Sequence, residues 1–132
     1  MIQKVENLFK ANSNLLLLIG RLFIGLTMAI GHGYGKLMNM SGFIGNVAKM
    51  GFPLPEVMGS LAMGSELIGG LLIAIGFKTR IAAFAVFGTM LVAAFVVHGA
   101  DPFAKKEFAL LYGAACLIIM AVGPGRFSVD KD

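Results

Sequence analysis

The sequence predicts an all-α integral membrane protein, a bundle of four transmembrane helices with a short interfacial helix between helices one and two. Composition indicates this class. The chain of 132 residues is 58% hydrophobic and only 14% charged, whereas soluble domains contain about 25% charged residues. A soluble protein of this size could not bury so much apolar surface. The length fits a single domain over residues 1–132.

Four apolar segments follow one another along the chain, at 15–33, 56–76, 80–97 and 108–122. A backbone in lipid must satisfy its own hydrogen bonds, so it forms helices or a closed barrel, and these runs are too continuous for alternating strands. About 20 helical residues cross the hydrocarbon layer. The fourth segment reaches that length if its helix begins near Pro102, with Asp101 as the N-cap.

The links between the segments differ in length. Residues 77–80 join segments two and three directly after Gly76, which predicts an antiparallel hairpin. The link at 34–55 is longer, and its apolar positions recur at helical spacing over 41–50. This pattern predicts a short amphipathic helix, capped by Ser41, that lies in the membrane interface.

The charged residues exclude some functions. The net charge is +4, but the eleven Lys and Arg are scattered, so no basic stripe points to nucleic-acid binding. The single Cys116 excludes an internal disulfide and cysteine-based zinc chemistry, and a buried, inert thiol is its expected role.

Basic residues also predict the orientation of the chain, because cytoplasmic loops carry an excess of Lys and Arg. One side would carry the basic residues at 4, 10, 78, 80, 126 and 131, and the other side those at 36, 49, 105 and 106. This distribution predicts both termini in the cytoplasm. The N-terminal segment could alternatively be a cleaved signal peptide, but Arg21 interrupts the apolar region that such a peptide requires.

Arg21 and Glu66 are charged residues deep within predicted spans. Such residues are costly in a bilayer and usually face the protein interior. Glu66 shares a helix face with glycines and alanines, where a neighbouring helix can approach closely. At 1.5 Å per residue, Arg21 lies about 9 Å and Glu66 about 15 Å below the same surface. We therefore expect an intramembrane Arg21–Glu66 ion pair, which either joins helices one and two or organises a proton path or ligand site.

A second polar cluster is expected at the outer end of the bundle, formed by His32, Lys36, His98, Asp101 and Glu107. Two imidazoles and two carboxylates could relay protons, hold a polar head group or bind a metal. No HxxxH or ExxH spacing is present, so no metal site is predicted. The alternative is a set of ordinary interfacial residues. From both polar groups, the candidates for catalytic roles are Arg21, Glu66, His32, His98 and Glu107.

Several short motifs together resemble the DoxX family of small bacterial membrane proteins. They are RLFIG at 21–25, HGYGK at 32–36, GFPLP at 51–55, ELIGG at 66–70, GFKTR at 76–80, DP at 101–102, Glu107 and GPGRFSVD at 123–130. No single motif is specific to the family, but the order and spacing of the motifs together are. The resemblance implies a four-helix protein of the bacterial inner membrane.

For function, the resemblance implies a link to redox chemistry. Some relatives are subunits of a thiosulfate:quinone oxidoreductase, others take part in thiol redox balance and oxidative stress, and many are described only as oxidoreductases. The family offers no catalytic motif to carry over, and no flavin, haem or iron–sulfur motif is recognisable here.

Two functional hypotheses follow. The first is a membrane subunit of a redox system, which uses a quinone or a thiol or sulfur compound as substrate and works with a soluble redox enzyme subunit. The second is a non-enzymatic scaffold or a carrier of a small lipophile. In either case the chain contacts the lipid bilayer, and its small-residue stripes could also pair subunits in a homo-oligomer.

Overall fold

The computed structural model describes residues 1–130, and this part of the chain contains six α-helices and no strand. The helices are α1 (Ile2–Ala11), α2 (Ser13–Met38), α3 (Met40–Lys49), α4 (Pro55–Ile75), α5 (Thr79–Val97) and α6 (Phe103–Val122). The all-α prediction is confirmed. Among the predicted basic residues, Lys131 lies outside the described residues.

Three of these helices, α2, α4 and α5, are long and apolar enough to cross a membrane. They correspond to the first three apolar segments of the sequence. Helix α6 has 20 residues, about 30 Å at 1.5 Å per residue, but it carries Lys105, Lys106 and Glu107 near its start. Large apolar side chains remain exposed along all four helices, as expected of surfaces that face lipid.

The helix boundaries follow the Gly and Pro signals, with small shifts. Helix α4 has Pro55 in its first turn, and Gly76 ends it in the left-handed conformation, with φ +75°. Two capping expectations were wrong. Helix α3 begins one residue before Ser41, and Pro102 rather than Asp101 is the N-cap of α6. Asp101 instead accepts a hydrogen bond from a ring nitrogen of His98, at 2.8 Å.

Glycines set the contact between α2 and α4. A Cβ on Gly25 would lie 2.4 Å from the Gly70 carbonyl oxygen, and one on Gly33 would lie 2.4 Å from the Leu67 backbone nitrogen. Only glycine permits this approach of two backbones. The two helices therefore pack antiparallel, with their axial register fixed by these contacts.

The other helices complete the bundle around a core of small and flexible side chains. Helices α5 and α6 pack on each other where Phe87 meets Gly113, and fully buried side chains from different helices meet in the centre: Met28, Ile73, Val86 and Cys116. Helix α2 meets α6 through side chains, since the Tyr112 hydroxyl donates a hydrogen bond to Thr27 Oγ1 at 2.7 Å. Cys116 is buried as predicted.

Candidate functional site

A cavity of about 740 Å³, here called the central cavity, lies between the helices of the bundle. Helices α2 to α6 and Phe52 all contribute to its walls, which are mainly apolar. The polar side chains in its lining are His32, Lys36, Ser65, Glu66, Thr89, His98 and Lys105. A mainly apolar cavity with a few convergent polar groups is the usual form of a small-molecule site.

An ion pair stands in the wall of this cavity. Lys36 Nζ lies 2.6 Å from Glu66 Oε2, and the Glu66 side chain is only 6% exposed whereas that of Lys36 is 25% exposed. The Lys36 ammonium also lies 5.4 Å from the centre of the Phe43 ring, within range of a cation–π interaction. The expected Arg21–Glu66 pair is therefore wrong, because Lys36 is the partner of Glu66.

The register of α2 against α4 explains this correction. Gly25 lies opposite Gly70 and Ala74, so Arg21, one turn earlier on α2, is level with the end of α4. Glu66 lies eight residues before Ala74, about 12 Å away along the helix. Lys36, which belongs to the C-terminal part of α2 beyond Gly33, is the basic residue that reaches Glu66.

Arg21 has a different role at the opposite end of the bundle. It is 3% exposed, and its guanidinium donates hydrogen bonds to the carbonyl oxygens of Ala74 (Nε 3.4 Å, Nη2 3.3 Å), Phe127 (2.7 Å) and Pro124. A cation at the C-terminal end of α4 also interacts favourably with the helix dipole. Arg21 thus fastens the segment after α6 to the bundle, and it does not line the cavity.

The expected outer-end cluster forms in part. His32, Lys36 and His98 line the cavity. Asp101 takes part indirectly through its hydrogen bond to His98, while Glu107 is exposed and is not in the lining. Within residues 1–130 no group of three or more His, Cys, Asp or Glu residues could hold a metal ion.

His32 stands at the border between α2 and α6. Its ring centre lies 5.0 Å from that of Phe108 and 5.8 Å from that of Tyr112. On the other side of these rings, a second, more open groove of about 750 Å³ follows the seam between α2 and α6. His32 and Phe108 line both volumes and form the wall between them.

Three π-helical turns, at Ala29–Gly33, Ser65–Gly69 and Ala93–Val97, contribute to the walls of the cavity. They supply His32, Ser65 and Glu66 among its polar residues. Such turns are rare and occur frequently at functional sites. The apolar pattern of a π-turn resembles that of an ordinary helix, so the sequence does not predict these turns.

The hydroxyl groups of Ser65 and Thr89, which are hydrogen-bonded to each other across α4 and α5, were also missed. The signal that could have revealed them is the presence of a few hydroxyl residues within two neighbouring apolar runs, Ser60 and Ser65 in the run at 56–76 and Thr89 in the run at 80–97. Together with the ion pair, they give the cavity polar groups on α2, α4 and α5.

Comparison with known proteins identifies the family. The DoxX family model matches residues 16–99. The chain is 30% identical over 132 residues to "Inner membrane protein YphA" of Escherichia coli (strain K12), covering 93% of this chain and 94% of that protein. It is 31% identical over 105 residues to "Inner membrane protein YqjF" of the same organism, covering 75% of this chain and 78% of that protein. No solved structure matches. These similarities confirm the resemblance seen in the motifs, and the chain belongs to the DoxX family.

Proposed function

We propose that this protein binds a small lipid-soluble molecule of the quinone class in the central cavity and serves as the membrane subunit of a redox system. The observation that carries the proposal is the cavity of about 740 Å³, with the Lys36–Glu66 ion pair set in an apolar wall. Apolar walls suit a hydrophobic ring, and an ammonium group can donate a hydrogen bond to a ring carbonyl oxygen.

The polar groups of the cavity fit proton transfer to such a ligand. Reduction of a quinone to a quinol takes up two electrons and two protons. Glu66 and His32 both line the cavity and are residue types that act as proton donors and acceptors. The two electrons would come from a soluble redox enzyme docked at the membrane surface. The chain's own thiol is a poor candidate for this chemistry, because Cys116 is fully buried and not in the lining.

A carrier is the second candidate, since the same cavity could bind a lipophile and release it unchanged. The mainly apolar lining supports both functions equally. The two differ in whether the ligand changes its redox state. In membranes supplied with a respiratory electron donor, a redox subunit would accelerate quinone reduction, and a carrier would leave it unchanged.

The proposal includes the position in the membrane. We place the protein in the inner membrane, in keeping with the names of its two relatives. We also place α6 as a fourth span, because its 20 residues suffice and its charged residues lie within its first two turns, where they can reach the membrane surface. Both termini would face the cytoplasm, since more basic residues lie at that end.

The test is equilibrium binding of a short-tailed quinone to the purified protein in lipid nanodiscs. Glu66→Gln should weaken binding about tenfold or more, since it removes the charge that orients Lys36 in the cavity. Glu56→Gln is the matched control, because Glu56 is an exposed acid in the first turn of the same helix, and its binding should match that of the wild type. Absence of saturable binding to the wild-type protein, or equal binding by the Glu66→Gln variant, would overturn the proposal.

A further inference from the structure

The central cavity extends from the core of the bundle to the exposed side of helices α4 and α5. At one end its lining includes buried Met90 and Ala109. At the other end its lining includes Leu61 on α4, which is 62% exposed, and Phe84 on α5, which is 65% exposed. Both residues belong to helices that can cross a membrane. The cavity therefore reaches a surface that faces the hydrocarbon of the bilayer.

Small and hydroxyl-bearing residues form the passage between α4 and α5. Ala62 and Ser65 line it on α4, and Ala85, Gly88 and Thr89 line it on α5. A Cβ added to Gly88 would have no neighbouring atom within 4 Å, so the space beside this glycine is open. We call this passage the α4–α5 gap.

The Ser65–Thr89 hydrogen bond crosses the α4–α5 gap. Each hydroxyl also lies in reach of a carbonyl oxygen of its own helix, at Ala62 (3.3 Å) for Ser65 and at Ala85 (3.2 Å) for Thr89. Each group can thus keep a hydrogen bond when the two separate. A hydrogen bond between two helices in a membrane is weak, so this one can break at low cost. The carbonyl oxygens of Ala62 and Ala85 then leave neither hydroxyl unsatisfied.

We propose that the ligand enters the cavity sideways from the bilayer through the α4–α5 gap, with the Ser65–Thr89 hydrogen bond as a latch. This inference rests on the proposed function and specifies its ligand further: an amphiphile whose polar ring lies near Lys36 and Glu66 and whose hydrocarbon chain remains in the gap. The groove between α2 and α6 is the competing route. His32 and Phe108, which line both volumes, stand between this groove and the cavity.

The decisive experiment compares the same substitution in the two openings. Gly88→Phe would fill the α4–α5 gap, and Gly31→Phe would fill the groove between α2 and α6. An added Cβ has no neighbour within 4 Å at either position, so both variants should fold. Stopped-flow mixing of protein nanodiscs with vesicles that contain a long-tailed quinone measures the rates of association and dissociation.

We expect Gly88→Phe to slow association and dissociation about tenfold or more, because a blocked passage raises the barrier in both directions. Gly31→Phe should leave both rates within about twofold of the wild-type values. Slowing by Gly31→Phe, whether alone or together with Gly88→Phe, or unchanged rates in Gly88→Phe, would overturn the lateral route proposed here.

A second pair of variants tests the latch. Ser65→Ala removes the hydrogen bond across the gap and should raise both rates about threefold, with the equilibrium constant unchanged. Thr27→Val is the matched control, since it removes the acceptor of the Tyr112 hydroxyl across the other opening and should leave the rates unaltered. A slower or unchanged rate in Ser65→Ala would refute the latch.

The two proposals fail in different ways. If the wild-type protein shows no saturable quinone binding, the proposed function fails and the route has no ligand. If the wild-type protein binds quinone and Glu66→Gln weakens that binding, but Gly88→Phe leaves the rates unchanged, the proposed function stands and the route through the α4–α5 gap is refuted.

Discussion

Lys36 Nζ and Glu66 Oε2 lie 2.6 Å apart and join the C-terminal end of α2 to the middle of α4 at the wall of the central cavity. Glu66 belongs to the π-helical turn Ser65–Gly69, and Lys36 follows the π-helical turn Ala29–Gly33 by one helical turn. The carboxylate is buried and the ammonium is partly exposed. Lys36 therefore neutralises the charge of the buried Glu66 carboxylate, whereas the ammonium group of Lys36 itself remains partly solvated.

Removal of either partner should have unequal effects on stability. Lys36→Met leaves a buried carboxylate without its partner and should cost about 3–5 kcal/mol of unfolding free energy. Glu66→Gln should cost less, because a neutral amide is cheaper to bury and Lys36 can still reach solvent. The double variant should be more stable than Lys36→Met alone. Denaturant unfolding in detergent micelles measures this double-mutant cycle, and additive effects would contradict the pairing.

Arg21 should be coupled to the C-terminal segment instead of to Glu66. Arg21→Met removes the hydrogen bonds to Ala74, Pro124 and Phe127. It should destabilise the protein by roughly 3 kcal/mol or more, since hydrogen bonds to a charged group contribute about 1.5–3 kcal/mol each. The segment after α6 should then become sensitive to limited proteolysis in nanodiscs.

Arg126→Met is the control for this prediction, because the Arg126 side chain is exposed and its contact to Asn14 uses the backbone N–H. Its stability and proteolysis should match those of the wild type. The effects of Arg21→Met and Glu66→Gln on the free energy of unfolding should also be additive within about 0.5 kcal/mol. A larger coupling between the two substitutions would support the Arg21–Glu66 ion pair expected from the sequence.

Asp130 should make stability depend on acid pH. Its carboxylate accepts hydrogen bonds from the backbone N–H of Thr79 (2.9 Å), the Thr79 hydroxyl (2.7 Å) and the backbone N–H of Lys78 (2.8 Å). These bonds, led by that from the Thr79 backbone, and the nearby Lys78 charge lower the pKa of Asp130 below its ordinary value of 3.8, against a smaller opposing effect of burial.

A lowered pKa in the folded state means that the unfolded state binds the proton more readily. The stabilisation by Asp130 is therefore complete above pH 3.8 and is lost as the pH falls through the lower folded-state pKa. Asp130→Asn should be less stable than the wild type at neutral pH, with the difference shrinking below pH 3.8. Glu6→Gln, at an exposed acid of α1, should show no such difference. A stability gap that stays constant with pH would contradict this account.

The glycine contact between α2 and α4 predicts a contrast within one helix. Gly25→Ala places a Cβ 2.4 Å from the Gly70 carbonyl oxygen, so the two backbones must separate. This should cost about 1–3 kcal/mol, the usual penalty for overpacking. Gly20→Ala, where nothing lies within 4 Å, should be neutral or stabilise the protein slightly. Equal melting temperatures for the two variants would refute the close packing.

The proposed orientation can be tested by cysteine labelling. Cys116 is fully buried, so the wild-type protein should react little with an impermeant maleimide. In intact spheroplasts, Lys49→Cys and Lys105→Cys should be labelled from outside. Lys10→Cys and Arg126→Cys should be labelled only after the membrane is opened. The reverse pattern would invert the orientation proposed from the basic residues.

The sequence anticipated the elements better than their contacts. The lengths of the apolar runs predicted the helices, and Gly76 and Pro55 marked boundaries that the structure retains. The choice of partner for Glu66 failed because helix depths were counted from assumed membrane surfaces. A signal for the right partner was present, since Lys36 follows Gly33 by three residues and so lies near the small-residue helix face that meets α4.

By itself, the sequence determined the all-α class, the apolar helices and the DoxX family, since these depend on composition, run length and the order of short motifs. Only the tertiary structure decided that Lys36 is the partner of Glu66, that Arg21 holds the C-terminal segment, and that His32, Lys36 and His98 share a cavity. Helical periodicity determines which face of a helix a residue occupies, but the axial register between two helices depends on contacts such as that of Gly25 with Gly70.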